Sequence, residues 1–284
     1  MRVEKLGGNK LELTNSGDLS IFFVGSGSAF TKKMNQTNIL IVKGDDHLMV
    51  DCGTKTPQAL WEYGLPVFKL NNFFITHTHA DHIGGLEEVM LMNRYVMNQK
   101  KANIYITKKF RKNLWNYSLK GGAEGNENHK GKQLTFHDMW NPIVPKRLKG
   151  LKRDAWQFSV GSLKITTFRT MHTPDTSKSW KDSAWSNGLI IDDKILFTSD
   201  TRFDPEMLDF CLQNWDIETI FHDCQFFEGG VHASLNELDS LSDEIKEKTY
   251  LMHYGDNWKD FKERVKDSPF AGLVKEGHFY NFSL

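Results

Sequence analysis

The sequence lacks several features that would place it in specialised classes. It has no apolar run near the ~18 residues that a membrane-spanning helix needs, and residues 1–10 carry charge without the apolar core of a signal segment. A soluble, cytoplasmic protein that does not meet the membrane is expected. Cysteine is scarce: Cys52, Cys211 and Cys224 form an odd, widely spaced set with no CxxC pair, which argues against a disulfide framework and fits reduced thiols. An excess of charge of one sign is missing too. Lys and Arg total 36 and Asp and Glu total 36 in 284 residues, so no global field gathers polyanions such as tRNA. With 39% hydrophobic and 25% charged residues and no repeat at solenoid spacing, disorder and fibrous roles fall away. An ordinary globular chain remains, expected to form one domain over residues 1–284.

Short β-rich runs between turn signals are abundant. Ile21–Val24, Asn38–Val42, Leu48–Val50 and Phe73–Ile75 read as strands in the front half, with Thr56-Pro57 opening a helix as N-cap and first-turn proline. Leu86, Val89, Met90, Met92 and Val96 recur at helical spacing. The basic, aromatic stretch from Lys108 reads as a helix with a solvated face, followed by a mobile loop to Lys132. Strands return at Trp156–Val160, Leu163–Met171, Gly188–Ile191, Ile195–Phe197, Thr219–Phe221 and Tyr250–Met252, the last clear one. Asp204-Pro205 caps one intervening helix and the Ser234/Glu237 capping box another. Strands with interspersed helices, recurring in both halves, favour a four-layer αββα sandwich over a doubly wound parallel sheet.

Eleven histidines carry the strongest signal. His77, His79, Asp81 and His82 lie within six residues, just beyond an apolar strand. Alternate residues leaving a strand point the same way, so His77 and His79 can hold one ion, while the turn carries Asp81 and His82 to a second. Imidazole with carboxylate suits Zn²⁺, with Mn²⁺ or Fe²⁺ as substitutes. His47, His129, His137 and His278 belong to no pattern.

This segment resembles the signature of the metallo-β-lactamase superfamily, whose other motifs follow in order. Met49-Val-Asp-Cys-Gly53 is similar to its first motif, where Asp51 braces the metal loop. The resemblance implies the metallo-β-lactamase fold, with His172 as third ligand of the first ion, Asp200 bridging both ions, and His253 on the second beside Asp81 and His82. Phe23-Val-Gly-Ser-Gly-Ser-Ala29 and Ile220-Phe-His-Asp-Cys-Gln-Phe226, followed by Gly230-Val-His-Ala-Ser234, resemble the RNase Z-like branch. There an acidic residue pairs with a downstream histidine that protonates the leaving alkoxide, roles that fall here on Asp223 and His232. The departures are Asp for the branch's usual Glu, and Ala-Ser for Ser-Thr after the histidine.

Enzymes of that branch that process tRNA carry an arm between the third histidine and the bridging aspartate. Here that interval is 28 residues and already holds two expected strands, leaving no room for it. The layout resembles the anti-Pycsar phosphodiesterase family, which implies a dinuclear zinc homodimer that hydrolyses 3′,5′-cyclic nucleotides, cyclic CMP and cyclic UMP among them, and blunts an antiviral defence. Trp180, Trp185, Tyr254 and Trp258 are candidate platforms for a base, since stacking tolerates many bases. An RNA 3′-end endonuclease and a non-catalytic nucleotide-sequestering protein are the alternatives.

Overall fold

Apolar runs punctuated by turn residues build two mixed β-sheets of eight strands each. The computed structural model describes residues 1–8 and 10–283. It is organised as two compact units, one formed by residues 1–25, 38–145 and from 277 onward, the other by 26–37 and 146–276.

The first unit contains β1 (Arg2–Lys5), β2 (Leu19–Gly25), β3 (Asn38–Lys43), β4 (Asp46–Val50), β5 (Asn72–Phe74), β6 (Ala102–Tyr105), a small hairpin of β7 (Asn128–His129) and β8 (Lys132–Gln133), and β9 (Trp140–Ile143). The second contains β10 (Lys146–Arg147), β11 (Ala155–Val160), β12 (Leu163–Arg169), β13 (Asn187–Ile191), β14 (Ile195–Phe197), β15 (Thr219–Asp223), β16 (Thr249–Met252) and β17 (Gly272–Leu273). The last strand, β18 (His278–Phe282), belongs to the first sheet, whose order is β1-β18-β2-β3-β4-β5-β6-β9. The second sheet runs β10 to β17 in sequence order.

The two sheets share one pairing pattern: four antiparallel pairings, then three parallel ones. Within each sheet the parallel strands run the same way, so the residues that follow them emerge along one edge, where open α/β sheets place their ligands. In the first unit that edge receives Asp51 and the loop after β5; in the second it receives Asp200, Asp223 and His253. Strands β2, β13 and β15 are buried along their whole length, which explains the apolar runs Ile21–Val24 and Leu189–Ile191 in place of alternation.

Helix Pro205–Asn214 seats Met207, Leu208, Phe210 and Cys211 against Phe168, Ile190, Leu196 and Ile220. It starts where expected, with Asp204 accepting from the Met207 N–H at 3.0 Å. The Ser234/Glu237 capping box is also present. Elsewhere the structure corrects the sequence reading. Lys55, not Thr56, is the N-cap of helix Thr56–Glu62, because the Thr56 hydroxyl turns inward to Asn38. The helix from Leu86 ends at Leu91 and continues as a π turn over Met92–Val96. The stretch expected as a mobile loop instead winds on to Asn126 and forms the β7–β8 hairpin. Tyr250–Met252 is followed by two more strands, of which β18 pairs with β1 and β2. Among the described residues, no helix is long and apolar enough to cross a membrane.

Candidate functional site

In the first unit the histidine loop is built on Asp51, which is buried. Its Oδ1 accepts from the Thr76 N–H at 2.8 Å, and its Oδ2 accepts from the Thr76 hydroxyl and lies 2.7 Å from His82 Nδ1. Burial pushes the Asp51 carboxyl up, against the lowering pull of His82 and Thr76. With Nδ1 engaged, His82 directs Nε2 toward Asp81, whose Oδ2 is 3.2 Å away. Rings of His77 and His82 lie 4.0 Å apart, and those of His77 and His79 4.6 Å. Asn38 fastens the loop from below: its Nδ2 donates to the Asp81 carbonyl at 3.0 Å, and its Oδ1 accepts from the Gly53 N–H at 2.6 Å.

In the second unit, His172 Nδ1 is 2.8 Å from the Val231 carbonyl. Its Nε2 lies 3.8 Å from Asp200 Oδ2, and His253 Nε2 lies 3.4 Å from the same oxygen. One carboxylate oxygen therefore sits between two imidazole nitrogens, as a bridging ligand would. Burial pushes His172 down to about 4, so the ring is neutral at pH 7, the state that metal ligation needs. Asp223 Oδ2 is 2.7 Å from His232 Nδ1. Burial disfavours both charges of that pair, yet their mutual attraction wins, holding Asp223 below and His232 above their ordinary ranges.

A metal fits these donors. In His82, His172 and His253 a carboxylate or carbonyl lies beside Nδ1, leaving Nε2 as the outward atom, the arrangement that orients metal-binding histidines. Each unit thus gathers its own share of the expected residues: His77, His79, Asp81 and His82 in the first, His172, Asp200, Asp223, His232 and His253 in the second. The aromatic candidates divide. Tyr254 is core, its hydroxyl donating to the Val274 carbonyl, and Trp185 is packed against Trp156 and the Arg169 guanidinium. Trp180 and Trp258 remain half-buried.

The sequence reading missed three supports. Asn38 is the polar residue that opens an apolar strand, and that contrast was its signal. Arg169 closes β12 and donates to the carbonyls of Ser183, Ala184 and Ser186. Arg153 and Asp204 form a buried pair at 2.8 Å. Nothing local distinguishes those two arginines from surface ones.

Comparison with solved structures defines the class. The metallo-β-lactamase fold protein YhfI from Bacillus subtilis superposes with a TM-score of 0.67 at 17% identity, covering 93% of this chain and all of that one. A diphosphatase of the PhnP family gives 0.68 at 12% identity, covering 94% and 98%. The protein has the metallo-β-lactamase fold, an α/β sandwich. Sequence then narrows the class to a family: the model described as "Anti-Pycsar protein Apyc1" matches residues 19–280, and the chain belongs to that family. A relative of that name from Bacillus phage 010DV004 is 38% identical over 269 residues, covering 89% of this chain and 95% of its own length.

Proposed function

We propose that this chain is a dinuclear zinc phosphodiesterase that hydrolyses 3′,5′-cyclic nucleotides, cyclic CMP and cyclic UMP among them, to nucleoside monophosphates, and so counteracts a Pycsar antiviral defence. The observation that carries the reading is the Asp223–His232 pair beside Asp200. A thioester hydrolase, whose thiolate departs without a proton, has little use for a protonated histidine held against a buried carboxylate, whereas a departing ribose oxygen needs a proton. Membership of the anti-Pycsar family supports the same substrate class.

In this reading His77, His79 and His172 would hold one ion and Asp81, His82 and His253 the other, with Asp200 shared by both. Such ions, when bound, polarise a phosphoryl oxygen and lower the pKa of water to about 7, with Mn²⁺ able to replace Zn²⁺. Asp81 orients the attacking water. Asp223 keeps the proton of His232 Nδ1 in place, and His232 delivers the proton on Nε2 to the leaving ribose oxygen. Trp180 offers a stacking face for a base. The chain acts in the cytoplasm, in keeping with three buried cysteines that form no disulfide. It acts as a homodimer, for which the exposed Trp61, Tyr95 and Val96 provide apolar surface; sedimentation at micromolar concentration checks this.

A panel of cyclic nucleotides incubated with Zn²⁺ or Mn²⁺ tests the activity, linear monophosphates being the expected product. Binding without turnover, or products that retain the cyclic phosphate, would overturn it. His232→Ala should lower kcat by about 10²- to 10⁴-fold while the metal content stays at the wild-type level.

A further inference from the structure

His232 and His253 stand side by side in the second unit, ring centroids 4.8 Å apart, and they share one carboxylate. Asp223 Oδ2 lies 2.7 Å from His232 Nδ1 and also accepts from the Thr201 N–H at 2.9 Å. Its Oδ1 lies 3.4 Å from His253 Nδ1. The main chain of Asp223 is pinned as well: its N–H donates to the Thr198 hydroxyl at 3.1 Å, and that hydroxyl donates to the Ser199 carbonyl at 2.8 Å. Asp223 is fully buried.

Ligand atoms of Asp200, Asp223, His232 and His253 lie within 4.8 Å of one another, a grouping that would also suit a metal held by Asp223 itself. The contacts favour another role, because each Asp223 oxygen faces a histidine Nδ1 atom, Oδ2 that of His232 at 2.7 Å and Oδ1 that of His253 at 3.4 Å. We propose that Asp223 is a positioning residue for two histidines at once, fixing the proton on Nδ1 of both rings. His253 then presents Nε2 as a donor beside Asp200, and His232 presents Nε2 to the substrate. Metal retention and protonation of the leaving group thereby depend on one carboxylate. The inference rests on the phosphodiesterase reading for the roles of the two Nε2 atoms, and on the contacts alone for the tautomers.

Long-range ¹H–¹⁵N correlation of the histidine rings in the metal-free wild-type protein tests the tautomers directly. Both His232 and His253 should carry Nδ1–H, and an Nε2–H tautomer with bare Nδ1 at His253 would overturn the proposal. Competition with a chelator tests the consequence. Asp223→Asn, its fold checked by circular dichroism, should lose about 10- to 100-fold in affinity for one of two Zn²⁺ ions, whereas His232→Ala should bind both as the wild type does. Wild-type affinity for both ions in Asp223→Asn would sink the proposal. A wild-type chain that takes up no transition metal would instead sink the phosphodiesterase reading, leaving the tautomers as the measure of this one.

Discussion

Three residues at the strand ends adopt backbone that L-amino acids avoid. Asp51, Ser199 and His253 have φ of 64°, 51° and 64°, each just beyond a parallel strand, and such left-handed positions cost about 1–3 kcal/mol apiece. Asp and His tolerate that region better than most residues. Here the strain falls on the residue that braces the histidine loop, on the neighbour of Asp200 and on an expected ligand. Glycine solves a different problem in the histidine loop. A Cβ on Gly84 would collide with Thr54 and the Ala80 carbonyl, and one on Gly85 with the Gly53 carbonyl. Gly84→Ala should therefore destabilise the protein by about 1–3 kcal/mol and weaken metal binding, measured by urea unfolding and chelator competition. Unchanged values in both would mean that the loop has slack that the contacts do not show.

At the scale of elements, what matters is how loops are tied to strands. The loop after His172 is held by Arg169 on three carbonyls and by Arg202, which donates to the Ser177 carbonyl at 2.6 Å. Arg153 binds the Arg169 carbonyl and Asp204, which also caps helix Pro205–Asn214. Asp204→Ala strips a buried cation of its partner and a helix of its cap. It should cost about 3–5 kcal/mol in urea unfolding at pH 7, and the double variant Arg153→Met/Asp204→Leu should recover most of that. Asp256 ties down residues 31–33: its carboxylate accepts from the Thr31 hydroxyl and from the N–H groups of Lys32 (2.7 Å) and Lys33 (3.0 Å). The Thr31 bond foremost, then those N–H groups, holds Asp256 down at about 2. The folded value lies below the unfolded one of about 3.9, so this tie is fully present above pH ~4 and is lost as pH falls toward 2. Amide exchange at Lys32 and Lys33, corrected for intrinsic rates, should keep its protection from pH 5 down to about pH 3 and lose it as pH falls through about 2, and Asp256→Asn should abolish that dependence. These ties also show what a sequence can reveal. The gathering of His77, His79, Asp81 and His82 was legible because three imidazoles and a carboxylate crowd into a short span after a strand, and the caps at Asp204 and Ser234 because capping is local. β18 was not, since its partners β1 and β2 lie more than 250 residues away. Nor were Arg153 and Arg169, whose roles exist only once distant carbonyls and a carboxylate are brought to them, whereas Asn38 left a trace as a polar residue opening an apolar strand.

For the whole molecule, the equal numbers of acidic and basic residues become an argument about substrate. A protein that grips a polyanion through six to ten phosphates loses about 10³- to 10⁵-fold in affinity between 50 and 200 mM salt. A cyclic nucleotide carries a single phosphate, and the fold supplies histidines and carboxylates fit for cations where a charged groove would otherwise be needed. For a substrate with one charge, the same salt change should lower kcat/KM by no more than about fivefold. Measuring kcat/KM for a cyclic nucleotide from 50 to 200 mM NaCl checks this. A steep loss, or cleavage of precursor tRNA with such a slope, would point instead to a surface that collects phosphates in number, and would move the reading toward an RNA nuclease.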